Sequence, residues 1–251
     1  MALNNMSTSG MLRYGDFLFR YRNMIFPAVL IMLLVGFRPG TGFGGGVNNI
    51  YPVLAGIAIV VFGQLIRSMV IGLAYIKRGG MNKKVYADTL VISGIFSHCR
   101  NPLYLGNLMI VFGLTLMHNN YTVFLLCTVF FLVSYIAIVM AEERFLRGKF
   151  GQEYDDYCSQ TSRWLFRFKG LANTLGNSRF DWRRVIFKDY TTILTWAITL
   201  DLVLAEKALY RDGFENYAAV VMTYSVPIMI MMVAGVLVRM IKKSPAHAGT
   251  G

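Results

Sequence analysis

The stretch that decides the fold reads LYLGNLMIVFGLTLM from Leu103 to Met117, HNN from His118 to Asn120, and YTVFLLCTVFFLVSYIAIVMA from Tyr121 to Ala141. Apolar runs of this kind place the chain in a bilayer, where the backbone must satisfy its own hydrogen bonds and the spanning form open to it is the helix. With three polar residues between them, the two helices must form an antiparallel hairpin, and its free ends return to one face of the membrane. Arg100-Asn101 and Glu142-Glu143 are therefore predicted to lie close together, although 41 positions separate Asn101 from Glu142.

Further apolar runs lie outward of this hairpin: Met24–Phe37, Ile50–Ile76, Tyr190–Tyr210 and Tyr217–Ile241. Together they predict an all-α, polytopic transmembrane bundle of about six spans at roughly 20 residues each. The runs at Met24–Phe37 and Leu103–Met117 are short on that count. Composition agrees: 251 residues, 55% hydrophobic and 15% charged, with a mean hydropathy of +0.50. Soluble domains carry about 25% charge. Disordered, coiled-coil and collagen-like chains are excluded.

Charge gives the sidedness. Of 25 Lys and Arg, 21 fall in the tail before the first run, from Lys77 to Arg100, from Arg144 to Lys188, or from Arg239 onward. Arg38 and Arg211 alone fall on the other side. Basic residues collect in the cytoplasm, so both termini are expected there, and the net charge of +12 reads as the positive-inside signature. A nucleic-acid partner is not expected. The segments Arg163–Lys169 and Phe180–Lys188 mix Arg and Lys with Trp and Phe, which suits a membrane interface. The expected organisation is a cytoplasmic tail over 1–23, a core over 24–188, and an added hairpin with its tail over 189–251.

Two polar motifs flank the central hairpin. The first runs from Ser93-Gly94 through His98-Cys99-Arg100-Asn101-Pro102 to Tyr104 and Gly106. The second runs from Glu142-Glu143 through Leu146 and Phe150-Gly151 to Tyr154 and Tyr157. Asn101-Pro102 has the form of an N-cap followed by proline at the first helical position. Arg100 and the free N–H groups of that helix start suit a carboxylate or phosphate. Glu142 and Glu143 suit an amine, a cation or ribose hydroxyls. S-adenosylmethionine is one ligand matched at both ends, though the residues alone do not single it out. The plain alternative is that Arg100 pairs with a glutamate as a structural interfacial bridge.

Over about residues 50–168 the two motifs resemble those of the membrane methyltransferases that include the isoprenylcysteine carboxyl and phospholipid N-methyltransferases. That resemblance implies an S-adenosylmethionine-dependent methyltransferase with a cytoplasmic active site. Gly94, His98, Arg100, Asn101, Pro102, Tyr104, Glu142 and Glu143 would then hold cofactor, and Glu142, Glu143 or Tyr157 would assist proton removal. The partner would be a lipid-soluble methyl acceptor: a phospholipid amine, a prenyl-type carboxylate or a thiol. Ile95 and Asn101 depart from the family pattern, which has proline at the first position and, in the isoprenylcysteine branch, histidine at the second. Two alternatives stand beside this reading. One is a sterol-reductase-like, nicotinamide-dependent membrane reductase. The other is a non-enzymatic membrane protein with a structural Arg/Glu cluster.

Other signals carry less. Cys99, Cys127 and Cys158 form no C-x-x-C pair, and with His98, His118 and His247 far apart no metal site is expected. Gly40-x-Gly42-x-x-Gly45 follows an apolar run rather than a strand and reads as a flexible loop. Arg67 and Asp201 are costly against lipid and are expected to pair with each other. Cys99 reads as a small packed residue.

Overall fold

The computed structural model describes residues 2–73, 87–176 and 179–243. Lys77, Arg78, Lys83 and Lys84 of the charge count, residues 74–76 of the second expected span, and His247 lie outside the described residues. The described elements are helical: α1 (Ala2–Gly36), α2 (Tyr51–Leu73), a 3-10 turn (Gly94–Ser97), α3 (Pro102–His118), α4 (Tyr121–Phe150), α5 (Gln152–Gln160), α6 (Leu171–Gly176), α7 (Trp182–Asp212), a second 3-10 turn (Phe214–Asn216) and α8 (Tyr217–Lys243).

Four of these helices are long and apolar enough to cross a membrane, over Ser9–Gly36, Tyr51–Leu73, Tyr121–Phe150 and Phe214–Lys242. The protein is an integral, multi-pass membrane protein. The expectation of about six spans is thereby corrected. α3 has 17 residues, about 26 Å at 1.5 Å per residue, and falls short of a roughly 30 Å hydrocarbon core. α7 has 31 residues, but Asp189, Asp201, Glu206 and Lys207 interrupt it, and three of these charges fall inside the expected Tyr190–Tyr210 span. The expected placement of both termini in the cytoplasm is not carried by the structure, since Met1 and residues 244–251 lie outside the described residues.

Local chemistry sets the central hairpin as anticipated. Pro102 opens α3. Asn119 ends it in the left-handed region at φ 59° and ψ 47°, a conformation asparagine tolerates. Asn120 caps α4, its side chain accepting from the Val123 N–H at 3.0 Å. The glycine-rich segment is not a loose loop but is laced onto this turn. The N–H groups of Gly40 and Gly42 donate to the His118 and Asn119 carbonyls at 3.1 and 2.7 Å, and Phe43 N–H donates to Asn119 Oδ1 at 2.8 Å.

Helices in lipid gain no hydrophobic advantage from meeting, so close packing must hold them together. α2 and α3 meet through two glycine pairs. A Cβ built on Gly63 would stand 2.7 Å from the Gly106 carbonyl oxygen, and one on Gly113 would stand 2.5 Å from that of Gly56. The seven-residue spacing, 56 to 63 and 106 to 113, is the same on both antiparallel helices, so both pairs meet in one register. α1 packs on α4 through Phe26, which meets Phe131 edge-on with ring centroids 5.1 Å apart. α8 lies against α7 and leaves Met222, Met229 and Ile230 exposed, as a lipid-facing helix does.

Gly106→Val is expected to cost about 3 kcal/mol or more, because the clash is with backbone and cannot be relieved by a rotamer change. Gly10→Ala has no neighbour within 4 Å and is expected to be neutral or to stabilise by under about 1 kcal/mol. Thermal unfolding in mild detergent measures both; equal midpoints for Gly106→Val and the unsubstituted protein would refute the packing account.

Candidate functional site

The free ends of the hairpin do come together. They form a layer of charged and polar residues at the start of α3 and the end of α4, covered by the segment that follows α5. That segment is stitched to the stretch before α3 through its backbone. Arg100 N–H donates to the Ser162 carbonyl at 2.9 Å, and Arg167 N–H donates to the His98 carbonyl at 3.0 Å. Tyr157 Oη donates to the Phe96 carbonyl at 2.7 Å. The stretch begins at Gly94, whose φ of 63° lies where a glycine is favoured.

Glu143 is the centre of this layer. It is 5% exposed and accepts a bidentate pair from Arg163, at 2.9 Å from Nε and 2.6 Å from Nη2. Arg100 Nη1 lies 3.4 Å from Glu143 Oε1, and Arg100 Nε has no hydrogen-bond partner. Glu142 points the other way, toward α1. It accepts from Tyr104 Oη at 2.5 Å, and that phenol oxygen accepts from Arg22 Nη1 at 2.8 Å. Neighbouring residues of α4 thus turn to opposite sides, as a rotation of about 100° per residue requires.

The remaining expected site residues are held by other contacts. His98 is buried; its Nδ1 lies 2.5 Å from the Arg167 carbonyl oxygen and its Nε2 lies 2.9 Å from Thr174 Oγ1. Asn101 occupies the cap position of α3, but its side chain makes no capping bond and donates instead to the Arg163 carbonyl at 3.2 Å. Cys99 is buried, and burial pushes its thiol up in pKa, which suits a packed residue rather than a reactive one. Burial, and after it the Glu143 carboxylate, likewise push the Tyr154 phenol up.

A cavity of about 620 Å³ opens beside this layer, walled by α1, α3, α4 and α7. Arg100, Asn101, Pro102, Tyr104 and Glu142 line it, whereas Gly94, His98, Glu143 and Tyr157 do not. The expected cofactor set is therefore divided between the cavity wall, a turn and a buried bridge. On the far side of the cavity Arg67 does not pair with Asp201, as expected, but with Asp189. Arg67 makes a salt bridge to Asp189 Oδ1 and donates through Nε to Oδ2 at 3.3 Å. It also donates to Asn107 Oδ1 at 2.5 Å and Thr192 Oγ1 at 3.1 Å. Gln64 adds a bond to Asp189 at 2.9 Å and accepts one from Trp196 at 2.9 Å. This network ties α2, α3 and α7 together.

Sequence reasoning missed Arg163, Asp189 and Arg22 as partners. Arg163 sits in a basic-aromatic segment that reads as membrane interface. The available signal for Asp189 is the recurrence of Asp189, Thr192, Trp196 and Thr199 at helical spacing on one face of α7. Among the described residues no group of three or more His, Cys, Asp or Glu stands together as a metal cluster.

A profile of the phospholipid methyltransferase family matches residues 51–153, the stretch that carries both motifs. Among curated proteins, the chain is 30% identical over 126 residues to the cobalt-zinc-cadmium resistance protein CzcN of Cupriavidus metallidurans, covering 50% of this chain and 56% of that protein. It is 35% identical over 72 residues to the nickel-cobalt-cadmium resistance protein NccN of Alcaligenes xylosoxydans xylosoxydans, covering 29% of this chain and 33% of that protein. The chain thus spans about half of one relative and a third of the other. No solved structure matches.

These findings correct the enzymatic expectation. The similarity to individual curated proteins runs to cation-resistance membrane proteins, and the phospholipid methyltransferase profile covers residues 51–153, less than half of the chain. The site agrees in physical terms. Glu143 is held by two guanidinium groups, Glu142 accepts from the Tyr104 phenol, and Tyr157 is bonded to backbone. Each of the three has a polar partner within the structure. S-adenosylmethionine as cofactor, and with it a lipid-soluble methyl acceptor as partner, is corrected on the same ground.

A double-mutant cycle on Arg67 and Asp189 is expected to give a coupling of about 1–3 kcal/mol, whereas Arg67 and Asp201 should be additive within about 0.5 kcal/mol. Unfolding in mild detergent measures both, and the reverse order would overturn the pairing.

Proposed function

We propose that the chain is a non-enzymatic integral membrane protein that contributes to resistance against divalent transition cations. In this reading the Arg100–Glu143–Arg163 cluster is a structural bridge. The carrying observation is the buried Glu143 carboxylate, engaged on both oxygens by Arg163 and flanked by Arg100. A carboxylate so compensated is a fold constraint. The similarity to CzcN and NccN supports the physiological context.

The bridge end of the bundle faces the cytoplasm in this proposal. The described basic residues support it: Arg100 just before α3, Arg144, Arg147 and Lys149 in the last turns of α4, and Arg163 and Arg167 after α5 lie at this end, while Arg38 and Arg211 lie at the other. Gly94, His98, Arg100, Asn101, Tyr104, Glu142, Glu143 and Tyr157 act together as the joint that fixes how the hairpin ends meet the segment after α5.

The test is growth of a metal-sensitive bacterial host in cobalt, zinc or cadmium. Expression of the chain is expected to raise the concentration that halves growth. Glu143→Ala is expected to destabilise by about 3 kcal/mol, since it leaves Arg100 unmatched in a buried place, and to lose that protection. The paired change Glu143→Gln with Arg100→Gln removes both buried charges, keeps hydrogen-bonding side chains, and is expected to keep most of the protection. A folded paired variant with no protection, or no protection from the unsubstituted chain, would contradict the proposal.

A further inference from the structure

The segment over residues 163–188 covers the polar joint and has two faces. Its inner face is held at the end of α2. Phe166 stacks on His98, with ring centroids 5.7 Å apart and 14° between the planes. Phe166 and Leu171 also pack against the cluster of Val70, Ile95 and Phe96. Further along, Asp181 N–H donates to the Gly72 carbonyl at 2.9 Å. The Phe180 ring lies so close over Gly72 that a Cβ there would stand 2.5 Å from it. Val70 and Gly72 share the last turn of α2, so both stretches of the segment close on one spot.

The outer face makes little contact with the protein. Leu165, Phe168 and Trp182 are 77%, 70% and 68% exposed. Ile186 is exposed as well, one turn after Trp182 on the same face of α7. Arg167, Lys169, Arg179 and Arg183 are exposed among them. Over residues 163–188 seven Lys and Arg stand against one acid, Asp181. That acid caps α7 by accepting from the Arg184 N–H at 3.0 Å and pairs with the Arg184 side chain at 3.3 Å. Large apolar side chains interleaved with cations are costly both in plain water and in plain hydrocarbon. The boundary layer of a bilayer satisfies both, because Leu, Phe and Trp enter the acyl region while Arg and Lys reach back to phosphate. Leu165 and Ile186 offer no ring on which bases could stack, which sets this surface apart from a platform for single-stranded nucleic acid.

We propose that this outer face is a docking surface for the anionic phospholipid headgroups of the leaflet at the bridge end of the bundle. Headgroup phosphates meet Lys169, Arg179 and Arg183, and Leu165, Phe168 and Trp182 enter the acyl layer beside them. The charge excess selects acidic over zwitterionic headgroups, since each Lys or Arg near the surface adds attraction to net negative lipid. In the orientation proposed above this leaflet is the cytoplasmic one, which carries acidic lipid. The leaflet then holds the outer side of a segment whose inner end brings Arg163 to Glu143, so the cover of the joint has a second support. The inference rests on the two faces of the segment and not on cation resistance.

Fluorescence quenching of Trp182 in nanodiscs carrying the full chain tests it. The discs hold phosphatidylcholine with about one part in ten phosphatidylglycerol, and bromines are placed near the headgroup end of the acyl chains of one lipid or the other. The Trp182 contribution is the quenching that is lost in Trp182→Phe. Brominated phosphatidylglycerol is expected to quench at about three times its bulk share or more, and the excess to vanish at about 1 M salt, where the Debye length is about 3 Å. Lys169→Gln with Arg179→Gln and Arg183→Gln changes exposed side chains alone, is expected to fold, and should leave quenching in proportion to bulk share. Proportional quenching in the unsubstituted protein, or an excess that survives the triple change, would overturn the proposal. So would a Trp182 that neither brominated lipid reaches, the result expected of a face covered by a protein partner.

Discussion

Much of the structure depends on one buried carboxylate. Glu143 sits near the end of α4, where the chain leaves its longest apolar helix, and a charge there is tolerable only if matched. Arg163 supplies the match from the segment after α5, and Arg100 supplies more from the stretch before α3. One ion cluster therefore fixes three pieces of chain that are distant in sequence. The backbone bonds from Arg100 to Ser162 and from Arg167 to His98 follow the same line. Pulling Glu143 out would free the covering segment and the start of α3 together.

The rest of the bundle is held by means suited to lipid. Burial of apolar surface contributes little between helices that already lie in hydrocarbon, so contact must come from close approach and hydrogen bonding. Gly56, Gly63, Gly106 and Gly113 provide the approach between α2 and α3. The Arg67–Asp189 network provides the bonding between α2, α3 and α7. α8 has few such devices and stays at the edge, its Met and Val side chains outward.

The hairpin was legible because its linker is too short for any other arrangement, and the nearness of Arg100 to Glu143 followed from that alone. The further partners of those residues were not legible. Arg163 is 20 residues beyond Glu143, with a turn and α5 between, and no periodicity links them. Asp201 looked like the partner of Arg67 because both lie within apolar runs, yet α7 sets Asp189 beside Arg67 and carries Asp201 about three turns further along the helix. The span count failed where charge density and helix length disagree with hydropathy, at α7 and α3. The motif resemblance located the polar layer, whereas the curated relatives matched are cation-resistance proteins and not methyltransferases. A shared fold or motif does not by itself carry a shared reaction.

The central proposal is that this layer is structural and performs no methyl transfer. The most direct measurement incubates purified, folded protein in nanodiscs with methyl-labelled S-adenosylmethionine and a total lipid extract of the source membrane, and counts label in the organic phase. The account predicts no label above that of heat-inactivated protein. Label accumulating in one lipid species, and lost in Glu143→Gln with Arg100→Gln, would contradict it.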